Sequence, residues 1–463
     1  MDLKSSSSSA LAVEKMYHTS MVQEVDDDEL SLNMQMSSNP TPNKESPLLQ
    51  LPIELLHSVL SYLSAQNLAR LSATCRCLAE HTANDLLWAN IVNSYLPEKV
   101  HDPGPFGSFR SLYIAYHPCW FIPQKKIWFS DTEHTGNLIL ARYDPRRGVI
   151  EAYRVIAERR SPSHKFQIWE WNPDVIIQTF HPKPRLWLDS PILLLRNHDG
   201  GREYLGGEIR MPLPLESQQV FNSLSFCPKE PPLDPDPYKQ WPPPIVPSRN
   251  RVYRSPETHS ADWERNPGLL ELMSEDAFRI RRWAHFRLGM PMFAAGRSET
   301  LSTYATLDPH LYTPTWQKPY QGIWIGDYSA HGCEFLLFLQ RDSEDGPGEA
   351  AEESEFLHDG IIQKGSLEAI KLTGDPNVPR GELSFISDDI GPKGFVRVAD
   401  ESLFRGAKIV RSRGHVAGLG FRDDTFIASQ LILISPDCVA HYWETMGHIS
   451  YFRRLNLDEL TQI

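Results

Sequence analysis

The sequence predicts an α+β fold: a small N-terminal three-helix module, then a large, mainly antiparallel β-barrel-like domain with one or more helices and long loops. Three observations predict it. Residues 47–96 are dense in Leu at helical spacing. Beyond Pro97 the apolar runs shorten and are punctuated by Gly, Pro, Asn and Asp, which is how strands joined by turns read. Those runs do not alternate with long helices, so a doubly wound parallel fold is disfavoured.

A length of 463 residues suits two or three domains. Residues 1–46 are Ser-rich and acidic and offer too little apolar surface to offset chain entropy, so a disordered tail is expected there. The helical module spans 47–96 and the β-rich domain 97–463. Lys+Arg is 46 and Asp+Glu is 59, so 46 − 59 gives −13, the wrong sign for a general nucleic-acid binder. No run of about 18 apolar residues predicts a transmembrane helix, and the N-terminus lacks an apolar signal core. Six Cys without framework spacing suit reduced thiols. Cys75 and Cys77 are expected to be ordinary buried thiols. A cytoplasmic and/or nuclear protein without membrane or nucleic-acid partners is the expectation.

In the helical module, Pro52 sits inside a first turn, where its missing donor is harmless. Leu56, Val59, Leu60 and Leu63 continue an apolar stripe, and Ser64 to Asn67 break it. A second helix carries Leu68 and Leu71, a third Leu78 and Ala79, and Leu87-Trp88 close the module and anchor it to the next domain. About fifty residues are near the lower limit for independent folding. So many Leu cannot all be hidden in their own core, and some are expected to meet a partner or the β-rich domain. Each fully buried Leu is worth about 1.5–3 kcal/mol.

In the β region, strands are expected at 126–129, 137–143, 166–171, 175–180, 192–195, 323–328, 334–339, 367–372, 383–386, 395–398, 416–421 and 426–434. Pro228 to Pro247 is expected to be an extended surface loop, because Pro cannot donate to a ladder. Asp342 to Asp359 is an acidic insertion between two strands. A helix is expected from Ser274, its cap, through Phe278, Ile280, Trp283 and Phe286. Gly322 and Gly326 leave room for close backbone approach, Ser329 to Gly332 reverse the chain, and Thr373 to Arg380 form a structured turn.

Leu51-Pro52-x-Glu54-Leu55-Leu56, Tyr62-Leu63, Leu68, Leu71, Cys75-Arg76-x-Leu78 and Leu87-Trp88, in this order, resemble the F-box. The resemblance implies a docking face for the Skp-type adaptor of a cullin–RING ubiquitin ligase. By it, Leu51, Pro52, Ile53, Leu55, Leu56, Val59, Leu63, Leu71 and Leu78 supply adaptor contacts or the small core behind them. The blocks Tyr320 to Phe338, Leu367 to Gly381 and Phe404 to Ile434 are similar to the cyclin-D-binding, substrate-binding domain of certain F-box proteins. Gly374-Asp375-Pro376-Asn377-Val378-Pro379-x-Gly381 is the most specific piece. This similarity implies a barrel that binds part of a protein destined for ubiquitination.

The expected substrate mouth combines three loops, since loops on a rigid β scaffold are the default binding place. They are Asp327, Tyr328 and His331; Asp375 and Asn377; and Arg405, Lys408, Arg411 and Arg413. Trp324, or else Trp169 and Trp171, is expected to line a pocket. The cationic cluster either holds a carboxylate or phosphate or is a solvated strand edge. His331-Gly-Cys333-Glu334 offers too few ligands on one face for zinc. No phosphate-binding Gly loop or nucleophile elbow occurs. The expectation is therefore a non-catalytic receptor without metal or cofactor. Cullin and RING subunits would be reached through the adaptor, and a protein would be the substrate. An F-box scaffold outside the ligase and a small-molecule enzyme are the alternatives.

Overall fold

The computed structural model describes residues 46–159, 166–178, 180–196, 204–205, 208–211, 220–229, 236–254, 272–284, 299–342, 357–358, 361–362 and 364–461. Residues 1–45 of the expected N-terminal tail, 230–235 of the Pro-rich stretch, and 343–356 and 359 of the acidic insertion lie outside these. The chain divides into two compact units, residues 1–56 and residues 57–463.

The helical region holds α1 (Ile53–Leu60), α2 (Ala65–Ser72), α3 (Arg76–Thr82) and α4 (Asp85–Ser94). There are four helices where three are expected, because the closing segment is itself helical. Ser64 caps α2 by accepting from the Asn67 amide, and Asn84 caps α4 by accepting from the Leu86 amide. Leu68, Leu78, Leu87, Trp88 and Val92 are buried. Trp88 donates from its indole to the Thr82 carbonyl at 2.8 Å. Its ring lies 5.6 Å from Tyr113 on α5 (Phe109–Tyr116), which fits the anchoring role expected of it. Cys75 and Cys77 are exposed, a correction to the expected burial. The buried side of α3 is taken by Leu78 and Thr82, which leaves the thiols facing outward.

After α6 (Phe121–Lys125), the strands in chain order are β1 (Ile127–Ser130), β2 (Leu138–Asp144), β3 (Val149–Arg159), β4 (Phe166–Ile168), β5 (Ile176–Gln178), β6 (Pro182–Arg196), β7 (Tyr204–Leu205), β8 (Glu208–Arg210), β9 (Val220–Pro228), β10 (Gln240–Trp241), β11 (Val252–Tyr253), β12 (Met273–Ala284) and β13 (Glu299–Thr306). A short α7 (Pro309–Tyr312) precedes β14 (Gly322–Asp327), β15 (Cys333–Arg341), β16 (Leu357–His358), β17 (Ile361–Ile362), β18 (Ser366–Lys371), β19 (Leu383–Ser387), β20 (Phe395–Val398), β21 (Lys408–Gly418), β22 (Arg422–Ser435), β23 (Cys438–Trp443), β24 (His448–Arg454) and α8 (Leu457–Thr461).

Two antiparallel sheets dominate. The first is open, in the order β6-β3-β2-β1-β13-β12-β9-β8-β7. In the second, β19 also pairs with β21, which closes β21-β22-β23-β24-β14-β15-β18-β19 into an eight-stranded barrel with β20 outside the ring. Closure removes two sheet edges. Alternation along each strand sets up two packing layers. Ile127 and Phe129 join Ile323, Ile325, Leu337 and Ile370 in the core between open sheet and barrel. Trp128 faces the other way, against Phe121 of α6 and Phe278. Trp324, Leu336, Phe338, Phe385, Leu431 and Phe452 fill the barrel itself.

Of the helix expected at 274–286, the described residues to Ala284 lie in β12 instead, hydrogen-bonded to β9 on one side and β13 on the other, and residues 285–286 lie outside the described residues. Phe278 and Ile280 are buried two residues apart, so two-sided pairing overrides the local helix signals. Ser274 does not cap a helix; its Oγ accepts from the Asp276 amide and from Asn250 Nδ2. The Pro-rich stretch is likewise not wholly a surface loop. Its Trp241 and Val246 belong to the central core, and Trp241 donates to the Phe129 carbonyl at 3.2 Å.

Candidate functional site

On α1 the chain separates core from surface residue by residue. Leu56 and Leu60 are 2% and 1% exposed, whereas Ile53, Leu55 and Val59 are 52%, 55% and 47% exposed. Leu51 and Pro52 ahead of the helix are exposed too. Leu63 and Leu71 are half-buried and Leu78 is buried. Of the nine predicted docking residues, five are exposed, two half-buried and two buried.

The barrel end that gathers the β14–β15 hairpin, the 373–381 turn and the β21–β22 hairpin is built from main-chain constraints. Ser329 adopts φ 52°, its amide held by Asp327 Oδ1 at 3.0 Å, and Gly332 completes the reversal. In the 373–381 turn, Asp375 Oδ1 accepts from the Asn377 and Val378 amides at 2.6 and 3.0 Å. Asn377 Nδ2 donates to the Ala417 carbonyl, and the Gly420 amide to the Pro376 carbonyl. Gly374 and Arg380 donate from their amides to the Thr135 and His134 carbonyls, which ties the barrel to the open sheet. A Cβ on Gly374 would lie 2.4 Å from the Arg380 nitrogen, so only Gly fits.

Inside this end sits a charged cluster. Lys371 Nζ lies 2.6 Å from Asp375 Oδ2, 2.9 Å from Glu334 Oε2 and 4.4 Å from the centre of the Tyr328 ring. Burial pushes the Glu334 carboxyl up to about 8, against the pull of Lys371. Burial acts upward on Asp375 as well, but the Lys371 ammonium and the bonds it accepts outweigh that and bring it down to about 2. Nearby, burial holds the His441 imidazole down to about 3, and its ring packs between Phe385 and Trp443.

The predicted substrate residues do not form one mouth. Asp327, Tyr328, His331, Asp375 and Asn377 do gather at this end of the barrel. Asp327 and Asp375 are buried there and His331 is exposed. Lys408 opens β21, opposite Leu433, while Ala417 near the other end of that strand meets Asn377. At about 3.3 Å per residue the two positions are some 30 Å apart. Arg405 lies further in the same direction as Lys408. Arg411 donates to the Lys393 carbonyl, and Arg413 pairs with Asp388 at 2.9 Å on the barrel flank. Trp324 is fully buried, stacked on Phe338 at 4.6 Å, and lines no opening.

Sequence reasoning missed the exposed apolar residues of the same end: Leu419, Phe426 and Met446. Leu419 and Phe426 were read only as parts of strands, and no local signal tells which strand residues overhang the barrel. His415 stacks on Phe426 at 4.4 Å and lies 3.0 Å from Asp424 and 2.8 Å from the Leu383 carbonyl. Among the described residues no group of three or more His, Cys, Asp or Glu is placed to hold a metal ion, and no helix is long and apolar enough to cross a membrane. A groove of about 780 Å³ runs along edge strand β6 and α8, away from this barrel end. Lys183 and Arg185 line it together with Asp189 and Glu459, so its charge selects no one partner.

The helical module leaves aliphatic side chains in water, and the loops of the barrel converge at one end. Residues 48–94 match the F-box-like family model, and residues 304–459 match the model of the Cyclin D1 binding domain. The second match begins in β13 and spans every barrel strand, leaving β1 to β12 outside both. The chain is also 24% identical over 193 residues to Protein EXECUTER 2, chloroplastic, of Arabidopsis thaliana. That match covers 40% of this chain and only 27% of that protein's length.

Proposed function

We propose that this chain is the substrate-recognition subunit of a Skp–cullin–F-box ubiquitin ligase. Through Leu51, Pro52, Ile53, Leu55 and Val59 it docks on the Skp-type adaptor, with Leu56, Leu63, Leu71 and Leu78 supporting that face from behind. The barrel end around Tyr328, His331, Asn377, Leu419, Phe426 and Met446 takes the protein target, which the Cyclin D1 binding match suggests is cyclin-like. The receptor makes and breaks no bonds. It raises the local concentration of target lysines near a ubiquitin-charged enzyme by tethering, and it works in cytoplasm and/or nucleus.

The observation that carries this reading is the outward apolar face of α1. Three large aliphatic side chains about half exposed on one eight-residue helix are what a partner surface covers. The test is affinity capture of the intact chain with a purified adaptor and with cullin. An Ile53→Asp, Leu55→Asp variant is expected to lose adaptor binding while its melting temperature stays unchanged. Binding that survives both substitutions sinks the docking face. Recovery of adaptor without cullin favours a scaffold acting outside the ligase.

A further inference from the structure

Three polar side chains link α1, α3 and α4 in a single file. Asn84 Oδ1 accepts from the Leu86 amide at 3.0 Å, which fixes the direction of its amide group. The Nδ2 end therefore faces His57 Nδ1, at 3.1 Å. An amide NH₂ only donates, so His57 Nδ1 accepts and carries no proton. The proton of that imidazole sits on Nε2, which donates to His81 Nδ1 at 3.2 Å. His81 Nδ1 must accept in turn. The rings meet edge to face, 5.3 Å apart, and both are half-buried.

Each ring is satisfied only as a neutral imidazole in one tautomer. A second proton on His57 would point N–H at the Asn84 NH₂. A second proton on His81 would point N–H at the His57 N–H. Besides the two histidines, the charged or titratable groups along the module are Glu54 on α1, Tyr62 after it, Arg70 on α2, Cys75 ahead of α3, Arg76, Cys77 and Glu80 on α3, Asp85 on α4 and Tyr95 after it. Asp85 is engaged with the Phe109 amide at 2.7 Å. Among the described residues the histidine ion pairs are His134–Glu133 and His415–Asp424, so no carboxylate stands ready to hold a proton on His57 or His81.

We propose that the Asn84–His57–His81 file is a proton-sensitive lock on the helical module. It holds while both rings are neutral. Charging either ring turns an attraction into a repulsion and frees α1 from α3 and α4. The consequence for adaptor docking rests on the function proposed above.

Hydrogen exchange of the intact chain, corrected for intrinsic rates, tests the lock. Between about pH 7.5 and about pH 5.5, protection of α1 and α3 amides is expected to fall about tenfold. In a His57→Gln, His81→Gln variant it is expected to stay flat. A flat wild type, or an equal fall in the variant, overturns the lock. Should the variant not fold, ¹⁵N-histidine spectra of the wild type decide. At the higher pH both rings must show a protonated Nε2 and a bare Nδ1, and the opposite tautomer overturns the assignment. Adaptor affinity is expected to weaken in step with exchange. Affinity that holds while protection falls overturns the coupling to docking. An adaptor that binds at neither pH refutes the docking reading instead, and exchange alone then judges the lock.

Discussion

Helix α1 and the closed end of the barrel both place side chains against the usual rule, in opposite senses. The helix turns Ile53, Leu55 and Val59 out into water, and the barrel turns Glu334, Lys371 and Asp375 inward. The barrel charges already have partners within the fold, so they describe its internal architecture. The exposed aliphatic residues are about half open to solvent, which is the observation the proposed docking rests on. The same inventory of polar and apolar residues therefore means different things depending on whether its needs are met within the fold.

The sharpest way to break this contrast is to remove the cation from the barrel cluster. Lys371→Met leaves two carboxyl groups facing each other without it and is expected to cost about 3–5 kcal/mol, read from denaturant unfolding. A loss under about 1 kcal/mol would show that the cluster does not hold the barrel end together. The helix gives the next largest effect. Leu56→Ala is expected to cost about 2–5 kcal/mol, while Leu55→Ala one residue away should stay within about 0.5 kcal/mol. Equal costs would erase the division between core and surface on α1.

Acidity separates the two regions further. Glu334 is held up to about 8 in the fold against about 4.3 in an unfolded chain. The folded state therefore binds the extra proton between those values, and stability falls as pH rises through that window. Asp375, lowered to about 2, acts the other way and loses its contribution only below the ordinary carboxylate range. Unfolding measured across this range should show the slope, and Glu334→Gln should flatten it. The smallest effect concerns the target. Met446→Asp at the barrel end is expected to weaken target capture several-fold, whereas Arg405→Glu with Lys408→Glu, at the other end of β21, should change it less. The reverse order would move the binding place to the basic end.

The helical module was legible because its periodicity is local: every residue of α1 that is buried or exposed lies within one short run. The barrel was legible through its turns, above all Gly374 to Gly381, whose residue types demand a particular backbone. The charged cluster was not, because Glu334 and Lys371 are 37 positions apart in sequence and meet only through the pairing of β15 with β18. Lys371 at the end of an alternating strand reads as a solvent residue until the barrel closes over it. The expected mouth failed for a related reason. Sequence lists loops without saying which end of a barrel each one occupies, and the direction of β21 carries Lys408 away from Asn377. The segment at 274–286 carried real helix-start signals, which pairing with two neighbouring strands overrode.

The bonds from Gly374 and Arg380 back to Thr135 and His134 impose an order on biosynthesis. The open sheet shares its apolar face with strands that begin at Gly322, so a nascent chain that has emerged only through β13 can cover Ile127, Phe129, Leu138 and Leu140 only in part, with residues such as Trp241 and Val246. On the ribosome the rest of that face stays bare until roughly a hundred and fifty further residues have been made, which at typical elongation rates of about 5–20 residues per second is about eight to thirty seconds. A premature stop codon in that interval would release a fragment that chaperones must hold or proteases destroy.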